Sequence, residues 1–463
     1  MGHWVDQFWK GQMTAFAPTY RDRDRRRGTY NAYVPEPLSE ASLTLSATTQ
    51  LLAAQAEARV NHLNTSPDVA AAGQFLLRSE AITSSRIEGI TPTAHNVVLA
   101  ELGRHERVKG VTPEAHDTVR HIVLLKDATT RLARTPLVTM ADLLELHDNL
   151  MPTSPNHHGL RLTQSWRGGT SRNPLDARFV SPPPELVPEL MEDLLSYLNG
   201  AIHAPLIQAA LVHAQFETLQ PFVVDNSRVG RMLIQMVLAR RGLLTGAALP
   251  MSLVMETMRY RYVEELYPTY EPGQAEKTGS EDLGAGHEKW IILFLTLVIL
   301  ACDEAKRIAA EIADIRADWE ERLQHWSEQD NDNRALREGS AASRILPDLP
   351  GTPMLTIGTA AKTYGVTRTA AARGLETLVT AGILTTEKVG SRLRVYTAPS
   401  VVEAITGVDS RLERKLAAAR LPADVRTRDG SSWMLSLKLT VRSCLPGRRQ
   451  SGPAACLRGR GSR

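Results

Sequence analysis

Cysteine is nearly missing from this chain of 463 residues: there are three, and two of them, Cys444 and Cys456, stand in an odd C-terminal stretch. That leaves Cys302 alone in the body, which excludes a disulfide framework and a cysteine-based zinc site and points to a reducing compartment. Aromatic residues are also scarce at 5%, whereas hydrophobic residues reach 43% and are rich in Ala and Leu, a balance that leans helical and away from strand-rich classes. Long apolar runs are absent. The most apolar, Trp290 to Cys302 (WIILFLTLVILAC), falls short of the roughly 20 residues a membrane helix needs and is flanked by charges. It reads as a buried core helix, and no membrane partner is expected. The opening MGHWVDQFWKGQ has no basic segment followed by an apolar core, so no signal peptide is expected and the cytoplasm is the expected location. Charge of one sign is lacking too. A net +3 is too small for a polycation, so any nucleic-acid contact requires a local patch.

At 51.0 kDa the chain exceeds what one core organises, and two to four domains are expected. A basic cluster, RDRDRRR at Arg21 to Arg27, precedes the turn-prone YVPEPL, and this opening reads as an extended lead-in, either a solvated arm or a binding patch. Ala and Leu then recur at helical spacing from Ser39 to Val60, Asp68 to Ser84, Glu114 to Ala133 and Thr139 to Met151. A region punctuated by Gly and Pro follows, with short alternating segments around Gly168-Gly169 that suit a small hairpin. Helical patterning resumes at Glu185 to Asn199, Pro205 to Leu219 and Asn226 to Arg241, and again from His287 to about Arg337, a stretch long enough to bridge two domains.

Chemistry concentrates in HAQFETLQPFVVDNSRVGRMLIQ, His213 to Gln235. One helix ends near Pro221, a short loop follows, and a new helix starts near Asn226 or Ser227. Its free N–H groups, its dipole, and Arg228 and Arg231 about one turn apart make an anion site suited to a phosphate chain. The run Gln220-Pro221-Phe222-Val223-Val224-Asp225-Asn226-Ser227-Arg228-Val229-Gly230-Arg231 resembles, without a gap, the active-site loop of the Fic (Fido) family, His-Pro-Phe-x-Asp/Glu-Gly-Asn-Gly-Arg-x-x-Arg. His213 and Phe216-Glu217 resemble the family's preceding helix, and Gly168-Gly169 with the hairpin after it resembles the flap that aligns substrate.

The resemblance implies a mainly α fold: a Fic/Fido helical core with a small β-hairpin flap, and a second domain at the C-terminus. It implies ATP as the nucleotide and transfer of AMP to a protein hydroxyl, with a histidine as base, an acidic residue holding Mg²⁺, and Asn and Arg gripping phosphates. Four positions depart, one of them Asp225, which stands where the family has Gly. Gln220 stands for the histidine, and an amide accepts no proton near neutral pH; losing one general base costs about 10²–10⁴-fold. Val224 stands for the metal-holding acid and offers no oxygen, leaving Asp225, one residue late, as the remaining group for Mg²⁺. Ser227 replaces a glycine and keeps a hydroxyl for a phosphate oxygen. Asn226, Ser227, Arg228 and Arg231 are thus the expected phosphate cradle.

Upstream, SSRIEGI resembles the family's inhibitory helix through Ser84, Glu88 and Gly89. Either Glu88 is a helix-terminal surface charge before a capping glycine, or it pairs with Arg231 and blocks the productive pose of the ATP γ-phosphate. From Leu355 to Pro399 the pattern resembles a winged helix-turn-helix: a helix to Tyr364, a turn at Gly365, a second helix capped by Thr367, and a basic hairpin. Arg368 and Arg373 would face a groove, and Lys388, Arg392 and Arg394 on the wing suit phosphate contacts, unless the module serves protein contacts instead.

The expected organisation is an inhibitory N-terminal helical region (1–110), the Fic core (111–272), a helical connector (273–347), the winged helix (348–400) and a disordered basic tail (401–463). Two functions compete: a DNA-binding, nucleotide-responsive regulator with weakened transfer, and an AMP-transferring enzyme restrained by Glu88. A chain that has lost both is the third. Target protein, operator and oligomeric state have no signature in the sequence.

Overall fold

The computed structural model describes residues 2–11, 26–39, 43–170, 172–267, 283–328, 336–390 and 393–419. The elements below lie in one compact unit, Met1–Leu416, apart from the last turn of the final helix. The fold is mainly helical with three small sheets.

The opening corrects the expectation of an extended lead-in. Strands β1 (His3–Trp9) and β2 (Gly28–Val34) form an antiparallel pair in register from His3 opposite Val34 to Trp9 opposite Gly28. The alternation in HWVDQFW is a strand signal that the flanking charge cluster obscures. Residues 21–25 of that cluster lie outside the described residues.

Helix α1 (Ala47–Asn64) is capped by Ser46, whose hydroxyl accepts from the Thr49 amide at 3.2 Å. The stretch read as one helix from Asp68 is two, α2 (Pro67–Ala71) and α3 (Gly73–Ile87), broken at Ala72. Helix α4 spans Ala94–Leu102, and α5 (Pro113–Thr130) starts on a Thr112 cap with proline in its first turn. A reciprocal Thr139/Asp142 capping box opens α6 (Met140–Leu150). The flap follows as strands β3 (Trp166–Arg167) and β4 (Phe179–Val180), antiparallel. The N-terminal pair leans on it: Trp9 meets Trp166 edge-on at 5.6 Å, and Tyr33 lies 6.3 Å from Phe179.

Helices α7 (Val187–Asn199), α8 (Pro205–Leu219) and α9 (Asn226–Arg240) make the centre. Helix α8 is buried on nearly every face, as its lack of charge before Glu217 demands. Gly230 lets α9 approach it; a Cβ there would stand 3.2 Å from both His213 and Glu217. After α10 (Met251–Thr257) and α11 (Arg259–Leu266), helix α12 (Leu283–Glu328) runs 46 residues, roughly 70 Å of helix. Its apolar run Trp290 to Cys302 is core, packed against α1, α8 and α10. No helix among the described residues is long and apolar enough to cross a membrane.

The far half of α12 carries the C-terminal elements: α13 (Ala341–Ile345), β5 (Met354–Leu355), α14 (Ile357–Tyr364), α15 (Arg368–Thr380), β6 (Thr385–Val389), β7 (Leu393–Thr397) and α16 (Pro399–Ala419). Gly365 takes a left-handed turn (φ 62°) between α14 and α15, and the sheet order is β5-β7-β6. The expected tail from residue 401 needs correction. Helix α16 continues to Ala419 because Val401, Ala404, Ile405 and Val408 are buried at helical spacing. Residues 420–463 lie outside the described residues.

Candidate functional site

The loop between α8 and α9 is held open at both ends by left-handed residues that are not glycine, Gln220 (φ 42°) and Asp225 (φ 63°). Such conformations cost of order 1–3 kcal/mol each and persist only where the surroundings over-determine them. Three clamps do so. Arg161, fully buried, donates to the Gln220 carbonyl (2.7 Å) and to the carbonyls of Leu219, Pro182 and Thr163, while its own amide donates to Pro221 O (2.8 Å). Asn226 spans the loop, accepting from the Phe222 amide (2.8 Å) and donating back to its carbonyl (2.9 Å). His147 stacks on Phe222 at 3.9 Å and donates to the Val224 carbonyl at 3.1 Å. Burial lowers the Arg161 pKa to about 10, since its partners are carbonyls rather than a carboxylate.

No side chain caps the start of α9, so its first amides and its dipole face the loop. Ser227 donates to Glu217 Oε2 (3.1 Å) and accepts from Arg167 of the flap (3.0 Å). Arg228 is buried between two acids, Asp225 at 2.7 Å and Asp117 at 2.8 Å. Arg231, also buried, donates to the hydroxyl and carbonyl of Ser84 (2.8 and 2.9 Å) and to Glu88 at 2.9 Å. Burial opposes its charge, but Glu88 and then Tyr262 and Glu217 more than compensate, and it stays a cation. Gly89 follows Glu88 at φ 82°, ending α3.

Glu217 is the electrostatic centre. Burial pushes its carboxyl up, yet Arg167 (3.1 Å), the Tyr267 hydroxyl (2.6 Å) and the charge of Arg231 outweigh that and hold it below the usual range. Arg167 also lies 4.7 Å over the Tyr267 ring. His213 shares a hydrogen bond with Tyr262 at 2.8 Å, and burial lowers its pKa to about 4, so it is neutral. Gln220 is buried; its Oε1 accepts from the Ser165 hydroxyl, and its Nε2 has no partner among the described residues. In the flap Gly169 (φ 68°) is obligatory, because a Cβ would stand 2.6 Å from the Asp176 carbonyl; at Gly168 (φ 80°) it would meet Arg178 at 3.0 Å.

Residues 137–238 match the model of the Fic/DOC family. The chain carries a Fic/DOC family domain. It is 35% identical over 72 residues to a probable protein adenylyltransferase from Aquifex aeolicus (strain VF5), covering 15% of this chain and 22% of that protein. Over 110 residues it is 28% identical to the protein adenylyltransferase fic-1 of Caenorhabditis elegans, covering 23% and 20%. The matches thus span about a fifth of each curated relative. A solved Fic family protein from Desulfovibrio desulfuricans G20 aligns with TM-score 0.43 and 19% identity, over 77% of this chain and 97% of that one.

The Fic domain contains the flap, Gln220 and the loop, whereas Ser84, Glu88 and Gly89 reach it from α3 outside the matched range. The structure brings Glu88 and Arg231 together at 2.9 Å. It gives three expected ligand residues other duties: Asn226 braces the loop, Arg228 is enclosed by Asp225 and Asp117, and Asp225 is committed to Arg228. Sequence reading missed Arg161, Ser165, Arg167 and Asp117. No local pattern marks them, since each acts through contacts 50 or more positions away.

In the C-terminal elements Arg368, Arg373 and Lys388 are exposed. Arg394 pairs with Glu376 at 2.8 Å and lies 5.1 Å over the Tyr396 ring. Arg392 lies outside the described residues.

Proposed function

We propose that this chain is a nucleotide-binding Fic-domain protein, related to the protein adenylyltransferases, in which AMP transfer is weakened or lost. The observation that carries this is Gln220 at the end of α8, an amide where the family resemblance places the base. No neighbour replaces it well. Glu217 is held below the normal carboxylate range and clasped by Arg167, which makes it a weak proton acceptor, and His213 is enclosed in the core. ATP is the proposed ligand, with its phosphates against the start of α9 and Arg231. Mg²⁺ has no good protein anchor: Val224 lacks an oxygen, and Asp225 would have to leave Arg228.

The test compares wild type, Glu88→Ala, and Glu88→Ala with Gln220→His and Val224→Asp, for ATP binding by calorimetry and for label transfer from ATP carrying a radioactive α-phosphate. Binding by the first two, with transfer by the repaired protein alone, supports the reading. Transfer by Glu88→Ala at the repaired rate sinks it.

The Glu88–Arg231 pair favours a second reading, an active AMP-transferring enzyme under restraint, since a brake is of use only where activity remains. The same experiment separates the two.

The C-terminal elements are proposed to act as a winged helix-turn-helix on DNA, with Arg368 and Arg373 on α15 and Lys388 on the hairpin exposed for phosphate contact. Mobility shift with genomic fragments at rising salt tests this. Binding that ignores salt or the Arg373→Ala change would count against it.

A further inference from the structure

Three buried donors around the loop lack partners among the described residues, Gln220 Nε2, Arg231 Nη1 and Arg167 Nε, as does one acceptor, Glu217 Oε1. Gln220 is 3% and Arg231 1% exposed. An unsatisfied buried donor costs about 1–3 kcal/mol, and a ligand that accepts from these three would remove that cost.

Their placement shows that they share a space. Ser165 and Arg167 are two apart on one extended segment, so their side chains project to one face. From that face Ser165 reaches Gln220, and Arg167 reaches Glu217 and Ser227. Ser227 and Arg231 are four apart on α9 and share a face as well. Glu217, one turn before Gln220 on α8, feels both Arg167 and Arg231. The donors therefore surround the uncapped first turn of α9.

We propose that Gln220 is itself a phosphate-binding residue. Ser165 donates to Oε1 and fixes the amide, which leaves an N–H group of Nε2 to donate to a non-bridging oxygen of a ligand phosphate beside Arg231. The substitution does more than delete a base. An acceptor position has become a donor position, which suits an ionised phosphate and disfavours a neutral hydroxyl awaiting deprotonation. The ligand class is a nucleoside polyphosphate held in its ground state. This rests on the nucleotide-binding reading above.

The experiment uses the full chain with Glu88→Ala, so that Arg231 is released from its carboxylate, and measures ATP, inorganic pyrophosphate and adenosine by calorimetry. Gln220→Leu, Gln220→Glu and Ser165→Ala are compared in that background, with thermal unfolding as the check on folding. Gln220→Leu should weaken ATP and pyrophosphate about tenfold or more, the effect of one charge-assisted hydrogen bond, and leave adenosine unchanged. Gln220→Glu should weaken them further by repulsion. Ser165→Ala should give a smaller loss, because the amide is then free to rotate; should Gln220→Leu fail to fold, a Ser165→Ala protein with parental pyrophosphate affinity overturns the proposal. Unchanged ATP affinity in Gln220→Leu, or an equal loss for adenosine, overturns it while the nucleotide-binding reading stands. A Glu88→Ala parent that binds neither ATP nor pyrophosphate overturns both.

Discussion

Arg231 on α9 donates to Glu88 at the end of α3 over 2.9 Å, across 143 positions of sequence. The contact makes α3 a strut. Along the same helix Glu80 accepts from the amide and hydroxyl of Ser252 at the start of α10 (2.8 and 2.6 Å). Arg78, fully buried, pairs with Glu101 at 2.9 Å and donates to the carbonyls of Pro350 (3.3 Å) and Gly351 (2.6 Å), between α13 and β5 of the C-terminal elements. One helix thus touches the Fic loop, the core and the C-terminal elements.

Removing the carboxylate should trade stability for ligand. Glu88→Ala is expected to lose about 1.5–3 kcal/mol, the worth of a hydrogen bond to a charged group. It should also tighten ATP several-fold, since Arg231 loses its ion-pair partner. Urea unfolding and calorimetry on the same preparation read both; lower stability with weaker ATP binding would show that the pair organises the site instead of blocking it.

Asn226 is a brace for the loop, so Asn226→Leu should strand the buried Phe222 amide and carbonyl. A cost of roughly 2 kcal/mol follows, with loss of ATP binding because the start of α9 shifts. Hydrogen exchange at the loop would locate the effect; protection equal to wild type would contradict it.

Arg78→Met breaks a buried ion pair and frees two carbonyls, which should cost about 3–5 kcal/mol. The segment near Pro350 and Gly351 should then be cleaved faster by protease than in wild type. Cleavage at the wild-type rate would mean that the strut does not secure this junction.

Glu80 gives a pH dependence. Burial raises its carboxyl to about 7 despite its hydrogen bonds from Ser252 and the charge of Arg231. The folded form therefore keeps its proton where the unfolded chain, near 4.5, has lost it. As pH rises from 4.5 to 7 this group removes stability on the order of 3 kcal/mol, and above 7 its effect is flat. Glu80→Gln should abolish that slope; parallel stability curves for variant and wild type between pH 5 and 7.5 would refute the assignment.

The sequence by itself determined the helical class, the course of α5 to α9, the Gly365 turn and the departures at Gln220 and Val224. Local rules write those features: apolar spacing, Thr and Ser caps, glycine at positive φ, and the chemical identity of a side chain. It concealed β1 and β2, whose alternation a charge cluster interrupts, and the break at Ala72, where the chain closes on the 244–248 loop; Gly73 there has no room for a Cβ beyond 3.1 Å from the Gly246 carbonyl.

Only the tertiary structure decided what the loop residues do. Asn226, Arg228 and Asp225 look like ligand groups in sequence, and folding turns Arg228 to Asp225 and Asp117 and Asn226 to the backbone of Phe222. Arg161 and Arg167 carry no motif, yet they hold and charge the site. The reason is physical: a motif fixes which groups are present, but a buried hydrogen-bonding group takes whichever partner packing brings within 3 Å, and that partner is usually distant in the chain.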